Sequence, residues 1–319
     1  MTLSTRVTAN EPLPDGGVAT SRGAVMSRLR TALAILRAEG PMEFARLLNW
    51  WILSRAVRFR DVWAEDTLAM YDLVRHASAQ ARVLEIGGPS QVFAPGGPLP
   101  IYLWCASADN CNYLEETLWE RGLSEGGSYA PVQSRPRLGR QFIAEASAMS
   151  TDHPYDMLVS SHMIEHTANP IGALRRWRSL CVPDGWLLLV LPHREGTFDH
   201  RRPLTDIEHM LDDERNATPE TDTTHFGEIL RLHDHRRDPG LPSSADLAGR
   251  LADNARTRAA HHHVFDTRRA AEMVAAAGWE PVYAEAQHPV DIFILARNRE
   301  PRSPLAGLRV RSPFPGDRD

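Results

Sequence analysis

The run Trp186-Leu187-Leu188-Leu189-Val190-Leu191-Pro192 constrains the fold of this chain more than any other stretch. It carries no charge, shows no polar alternation, and is bounded by Gly185 and a proline. A run that short and that apolar is a strand covered on both faces. Such a strand belongs inside a parallel sheet sandwiched between helical layers. Further short apolar stretches bracket it at 82–86, 100–105, 141–144 and 157–161, and again at 281–286 and 291–296. Helical periodicity falls between them at 66–77, 170–180 and 267–277, the last stopping at Gly278. This alternation predicts an α/β fold with a Rossmann-like, doubly wound, mostly parallel sheet. The short link before 291 predicts that the last two strands pair as an antiparallel hairpin.

The flanks read differently. Residues 1–23 are polar and rich in Gly, Pro and Thr, which predicts a disordered leader. A helical segment follows at 24–65, with Met26, Leu29, Leu33 and Leu36 at helical spacing and Phe44, Leu47, Leu48 and Trp51 beyond a Gly-Pro break. Arginine fills its polar positions. Two amphipathic helices packed on the main domain is one reading, and peripheral contact with an anionic membrane is the other. The main domain then spans 66–299. Within it, 193–265 is a polar insertion crowded with His, Asp and Arg at the carboxyl edge of a strand, where such folds place substrate-side parts. Residues 300–319, with four prolines, predict a disordered tail.

Composition excludes several chemistries. All basic residues apart from histidine are arginine, so neither a Schiff-base lysine nor a P-loop lysine is available. The net charge of -5 gives no basic field for nucleic acid. Three cysteines without a CxxC pair point away from disulfides and from thiolate zinc. With no transmembrane run and no secretion signal in the sequence, a cytoplasmic location is the expectation.

The turn Val83-Leu84-Glu85-Ile86-Gly87-Gly88 closes a strand with an acid two residues before a glycine, and Gly87 permits a sharp turn and a close ligand approach. It is followed by Tyr155-Asp156-Met157-Leu158-Val159-Ser160-Ser161-His162-Met163-Ile164-Glu165-His166 and by Pro183-Asp184-Gly185-Trp186-Leu187. Together, over 66–296, these segments resemble the class I S-adenosylmethionine-dependent methyltransferases. The resemblance implies a seven-stranded sheet with an antiparallel seventh strand and S-adenosylmethionine as cofactor. It also implies cofactor contacts at Glu85, Gly87 and Gly88 beside the methionine portion, with Glu145 and Ala146 bordering the adenine. Ser161 and His162 would lie near the transferred methyl. The ribose acid is expected at the end of the second strand; Cys105 stands there, and Asp109 is the nearest acid. Pro89 and Ser90 replace further glycines of the family turn.

Transfer to a hydroxyl requires that its proton leave, and a neutral histidine suits that task. His193 is the expected base, with His162, His200 and Asp199 behind it; the alternative is that these residues only tie the inserted loops together. His162-Met163-Ile164-Glu165-His166 also spells the inverted zincin pattern, so a metalloprotease is weighed as well. The triplet His261-His262-His263 cannot present three rings to one face, and no metal is expected. The expected reaction is O-methylation of a polar small-molecule or glycan acceptor, the alternative being a non-catalytic binding module on the same fold.

Overall fold

The structure, a computed structural model, describes residue 41 and residues 65–95, 97–118, 120–131, 139–238, 240–241, 243–301, 305 and 308–318. The chain divides into two units, Met1–Ile52 and Leu53–Asp319, and the fold below is that of the second. The expected leader lies outside the described residues, as does the 24–65 segment apart from residues 41 and 65.

Among the described residues the strands are β1 (Arg82–Ile86), β2 (Ser107–Asn112), β3 (Ser128–Tyr129), β4 (Gly139–Ile143), β5 (Tyr155–Ser161), β6 (Cys181–Pro192), β7 (Glu280–Gln287), β8 (Asp291–Arg297) and β9 (Arg309–Arg311). They form one sheet in the order β3-β4-β2-β1-β5-β6-β8-β7-β9. The pairs β4–β2, β2–β1, β1–β5 and β5–β6 are parallel, while β8 runs antiparallel to both β6 and β7. The expected doubly wound sheet with an antiparallel hairpin is therefore present, with β3 and β9 added at its two edges.

Among the described residues the helices are α1 (Glu65–Ser78), α2 (Ile101–Trp104), α3 (Pro170–Leu180), α4 (Ile207–Arg215), α5 (Phe226–Leu232), α6 (Ser244–Ala252), α7 (Asn254–Thr257) and α8 (Thr267–Ala276). None is long and apolar enough to cross a membrane. β6 shows why its sequence is so apolar. Leu187, Leu189 and Leu191 join a core with Trp177 and Trp279 on one face, and Leu188 and Val190 join Val83, Val159 and Phe293 on the other. Asn169 starts α3 by accepting a hydrogen bond from the Gly172 amide at 2.8 Å, with Pro170 in the first turn.

Two expectations fail. Residues 100–105 are not a strand: Pro100 opens the short helix α2, and the second strand is the polar run Ser107–Asn112. Its polarity hides it, because Asn110 and Asn112 point to the same buried side and satisfy each other. Asn110 Nδ2 donates to Asn112 Oδ1 at 2.6 Å and to Gln141 Oε1 of β4 at 2.9 Å.

The expected disordered tail is ordered over 308–318. Strand β9 pairs with β7, and Phe314 is buried against the His193 ring at 3.9 Å between centroids. Asp317 accepts from the Thr267 amide at 3.1 Å and lies 3.2 Å from His193 Nε2. Burial alone would raise the Asp317 pKa, but hydrogen bonds from His193, Ser312 and Thr267 hold it at about 2. A depressed carboxyl stabilises the fold above its unfolded pKa of about 4 and loses that contribution as pH falls through 2. Asp317→Ala is expected to cost about 2 kcal/mol at neutral pH and almost nothing at the acid end. Urea unfolding at pH 7 and in acid measures both, and an equal cost at the two pH values would contradict the assignment.

Candidate active site

A cavity of about 300 Å³ opens at the carboxyl ends of β1, β2, β4 and β5, where the strand order reverses direction about β1. Open α/β sheets bind ligands at this switch point. Ile86, Gly87 and 89–92 line the β1 side, Asn112 and Tyr113 follow β2, and 144–146 follow β4. Ser161, His162, Met163 and His166 follow β5, and Glu220 and Arg258 reach in from the insertion.

Gly87 is needed where it stands. Its φ is +87°, and a Cβ there would lie 2.8 Å from the Met163 side chain. Gly88 faces inward instead. A Cβ on Gly88 would lie 2.1 Å from the carboxyl carbon of Glu85. Glu85 is fully buried, and its Oε2 accepts from Tyr102 at 2.6 Å and Tyr129 at 2.5 Å. Burial pushes its pKa up, against those hydrogen bonds. Glu85 thus braces the turn from beneath and is absent from the cavity wall.

Of the residues expected at the cofactor, Gly87, Glu145, Ala146, Ser161 and His162 line the cavity, and Glu85, Gly88 and Asp109 do not. Asp109 is mid-strand, where its Oδ1 accepts from the Arg140 amide at 2.7 Å and its Oδ2 from Tyr155 at 2.7 Å. The end of β2 carries Asn112 in place of an acid. The Asn112 amide nitrogen is committed to the Gly88 carbonyl at 3.0 Å, so Asn112 shapes the turn that Gly87 opens.

The expected base, His193, lies outside the cavity lining. His193 is buried, with Nδ1 accepting from the Glu195 amide at 3.1 Å and its ring sealed by Phe314, away from the cavity. His200 binds Asp234 at 3.0 Å. Asp199 is buried between Arg202, at 3.0 Å, and His261, whose Nδ1 is 2.5 Å from Asp199 Oδ2. Burial would raise the Asp199 pKa, but His261 and Arg202 hold it at about 2. The inserted polar residues therefore bind one another, the second of the two readings left open by the sequence.

Two histidines do reach the cavity. His162 has φ +50° and lies 2.8 Å from Asp291 Oδ1. Burial opposes its charge, but Asp291 and Glu165 outweigh that and raise its pKa to about 9. Asp291 and Glu165 therefore favour its charged form. His166 is the opposite case: burial, then repulsion from His261, holds its pKa well below the ordinary 6.5. Its Nδ1 sits 3.1 Å from the Ala260 carbonyl, which only accepts, so Nδ1 carries the proton and Nε2 the lone pair. Glu165 Oε1 is 3.9 Å from Nε2, and His261 packs edge-on at 4.6 Å between centroids.

The zincin reading is also corrected. His162 lies outside the single 3-10 turn Ile164–His166, so the two histidines share no helix face.

Sequence reasoning missed Tyr113, Glu220 and Arg258. Arg258 adopts a left-handed backbone at the end of α7 and contacts both Glu145 and Glu220. Its guanidinium lies 4.9 Å from the Tyr113 ring centre, so residues 38 to 145 positions apart in sequence close one wall. Nothing local in the sequence marks that convergence.

A methyltransferase-domain family model matches residues 52–284. No curated protein matches the chain. Among solved structures, a Burkholderia thailandensis 1,6-didemethyltoxoflavin-N1-methyltransferase is 16% identical with TM-score 0.39, covering 82% of this chain and 91% of its own. The N-methyltransferase NodS from Bradyrhizobium japonicum is 10% identical with TM-score 0.39, covering 78% and 100%.

Proposed function

The chain belongs to the methyltransferase-domain family, and from that premise we propose that this S-adenosylmethionine-dependent enzyme methylates a hydroxyl oxygen on a small polar acceptor, such as a sugar unit of a glycan. S-adenosylmethionine supplies an electrophilic methyl group on a sulfonium. Every other task falls to the chain. The residues present fit this donor: Gly87 lets the ligand approach the main chain where any Cβ would collide with Met163, and the cavity extends from there to Tyr113 and 144–146. Gly87 and Ser161 would hold the methionine end, and Tyr113 with Ala144 and Ala146 the adenosine end.

The observation that carries the oxygen-acceptor reading is the placement of His166. A neutral imidazole can take the proton a hydroxyl must lose, and burial favours the neutral form of His166 in the cavity wall. A polar acceptor is supported by Gln91, Thr117 and Glu120 among the lining residues, which supply hydrogen-bonding groups.

Two measurements test the reading. Calorimetry with S-adenosylmethionine is expected to give one-site binding, and no heat at millimolar ligand would remove the donor site. Incubation with hydroxyl-bearing, amine-bearing and carbon-acid acceptors is expected to release S-adenosylhomocysteine with the first class. Turnover confined to amines would overturn the oxygen assignment while leaving the donor site intact.

A further inference from the structure

Beside the cavity, but outside it, three imidazoles and a carboxylate converge from three segments. His209 and Asp213 lie one turn apart on α4, His225 precedes α5, and His263 ends the histidine triplet. His209 Nε2 is 3.1 Å from His225 Nε2 and 3.4 Å from Asp213 Oδ2, and His263 Nε2 is 3.7 Å from the same oxygen. One ligand atom from each of His209, His225 and His263 lies within 4.8 Å of the others. We infer that His209, His225 and His263, with Asp213 beside them, form a binding site for a divalent metal ion of the zinc class.

The spacing fits the ion. Zinc–nitrogen and zinc–oxygen bonds of about 2.0–2.2 Å place neighbouring donors of a tetrahedron roughly 3.3–3.6 Å apart. The observed separations of 3.1 Å between His209 and His225 and 3.4 Å between His209 and Asp213 lie close to that edge. Imidazole with one carboxylate is a ligand set that suits zinc.

An independent observation points the same way. Asp213 Oδ2 is buried and has no hydrogen-bond partner, whereas Oδ1 accepts from the Thr218 hydroxyl at 2.9 Å. A second oriented bond on one oxygen, with the other left for an ion, is how metal-binding carboxylates are commonly held. His263 Nε2 lies 3.3 Å from the Ala168 carbonyl, which leaves its buried and unpartnered Nδ1 as the nitrogen available to an ion. Such groups are costly without an occupant.

Three imidazoles would hold the ion, and Asp213 Oδ2, 3.4 Å from His209 Nε2, is the carboxylate beside it. The ion ties α4, the approach to α5 and the strand-like segment at 263 into one unit. Glu220, in the loop between Asp213 and His225, lines the cavity and accepts from the Ala168 amide at 3.3 Å, so the clamp also braces that wall. This proposal departs from the expectation of no metal and does not depend on the acceptor proposal.

The test uses the full chain, freed of metal by a chelator and dialysed. Zinc is then titrated against a chromophoric chelator, and cobalt is titrated with its visible absorption recorded. One ion per chain is expected, with intense cobalt bands of tetrahedral type and a rise in Tm on adding zinc. His209→Ala, at a half-exposed position that tolerates truncation, and Asp213→Asn are each expected to weaken zinc binding by about tenfold or more and to abolish the Tm rise. His153→Ala, on the surface far along the chain, should bind as the wild type does. No stoichiometric uptake by the wild type, or unchanged affinity in His209→Ala, would overturn the site.

Discussion

Replacing His166 by alanine is expected to lower kcat by roughly 10²–10⁴-fold, the usual worth of a positioned proton acceptor, while S-adenosylmethionine affinity changes by no more than about twofold. The reasoning rests on one hydrogen bond and its consequences. With Nδ1–H donated to Ala260, the ring presents only Nε2, and burial beside His261 keeps it neutral. The sign of the pH dependence follows. An ordinary histidine base loses activity as pH falls through about 6.5. A base whose pKa lies well below that value should sustain kcat to more acid pH. Stopped-flow or steady-state rates between pH 5 and 8, with calorimetry on the same variant, separate the outcomes. An unchanged kcat in His166→Ala would remove the residue from the chemistry. A loss confined to cofactor affinity would make it part of the donor site.

The Asp199–His261 pair behind His166 extends this argument. Asp199 contacts His261, whose ring packs edge-on against the cavity residue His166, so its carboxylate stands one residue removed from the cavity lining. Arg202, buried and bonded to Asp199, Glu228 and the His261 carbonyl, fixes that pair in place. The insertion thus acts by supporting cavity residues from outside, in keeping with the way its own polar groups are paired.

How much of this was legible in the sequence depends on the range of the forces involved. β1, β5, β6, α3 and α8 fall almost where apolar patterning puts them, because each buries its own contiguous side chains against the sheet. β2 escaped because its burial is paid in amide hydrogen bonds among Asn110, Asn112 and Gln141, a pattern that looks like a loop until β4 is beside it. Gly87, Ser161 and His162 were found because they sit at strand ends, where topology alone fixes position. His193 also sits at a strand end, yet Phe314 and Asp317, more than a hundred residues away, fold over it and take it from the cavity. No local signal carries such information. The same holds for the metal cluster, where only the His209–Asp213 spacing is local and the other ligands arrive through the tertiary fold.

Gly88→Val is expected to be the most damaging single change at the cavity, costing roughly 1–3 kcal/mol or more in stability and weakening S-adenosylmethionine binding by at least about tenfold. The main chain at Gly88 is pinned on both sides: its amide donates to Asn110 Oδ1 at 3.1 Å, and its carbonyl accepts from Asn110 and Asn112. It therefore cannot withdraw from an added Cβ, which would lie within 2.6 Å of three atoms of the Glu85 carboxyl group. Glu85 cannot withdraw either, because two tyrosine hydroxyls hold its Oε2. Either the carboxyl swings off its partners and is left buried without them, or the turn lifts and Gly87 moves out of the cavity floor. Both routes cost the donor site, although Gly88 itself never faces it. A matched control distinguishes this from a general intolerance of glycine replacement. A Cβ at Gly227, in the first turn of α5, meets nothing within 4 Å, so Gly227→Ala is expected to be neutral or to gain roughly 0.5–1 kcal/mol. Urea unfolding and calorimetry on both variants decide the matter. Wild-type stability and affinity in Gly88→Val would mean that the brace of Glu85, Tyr102 and Tyr129 beneath the turn yields freely, and that the floor of the cavity is set elsewhere.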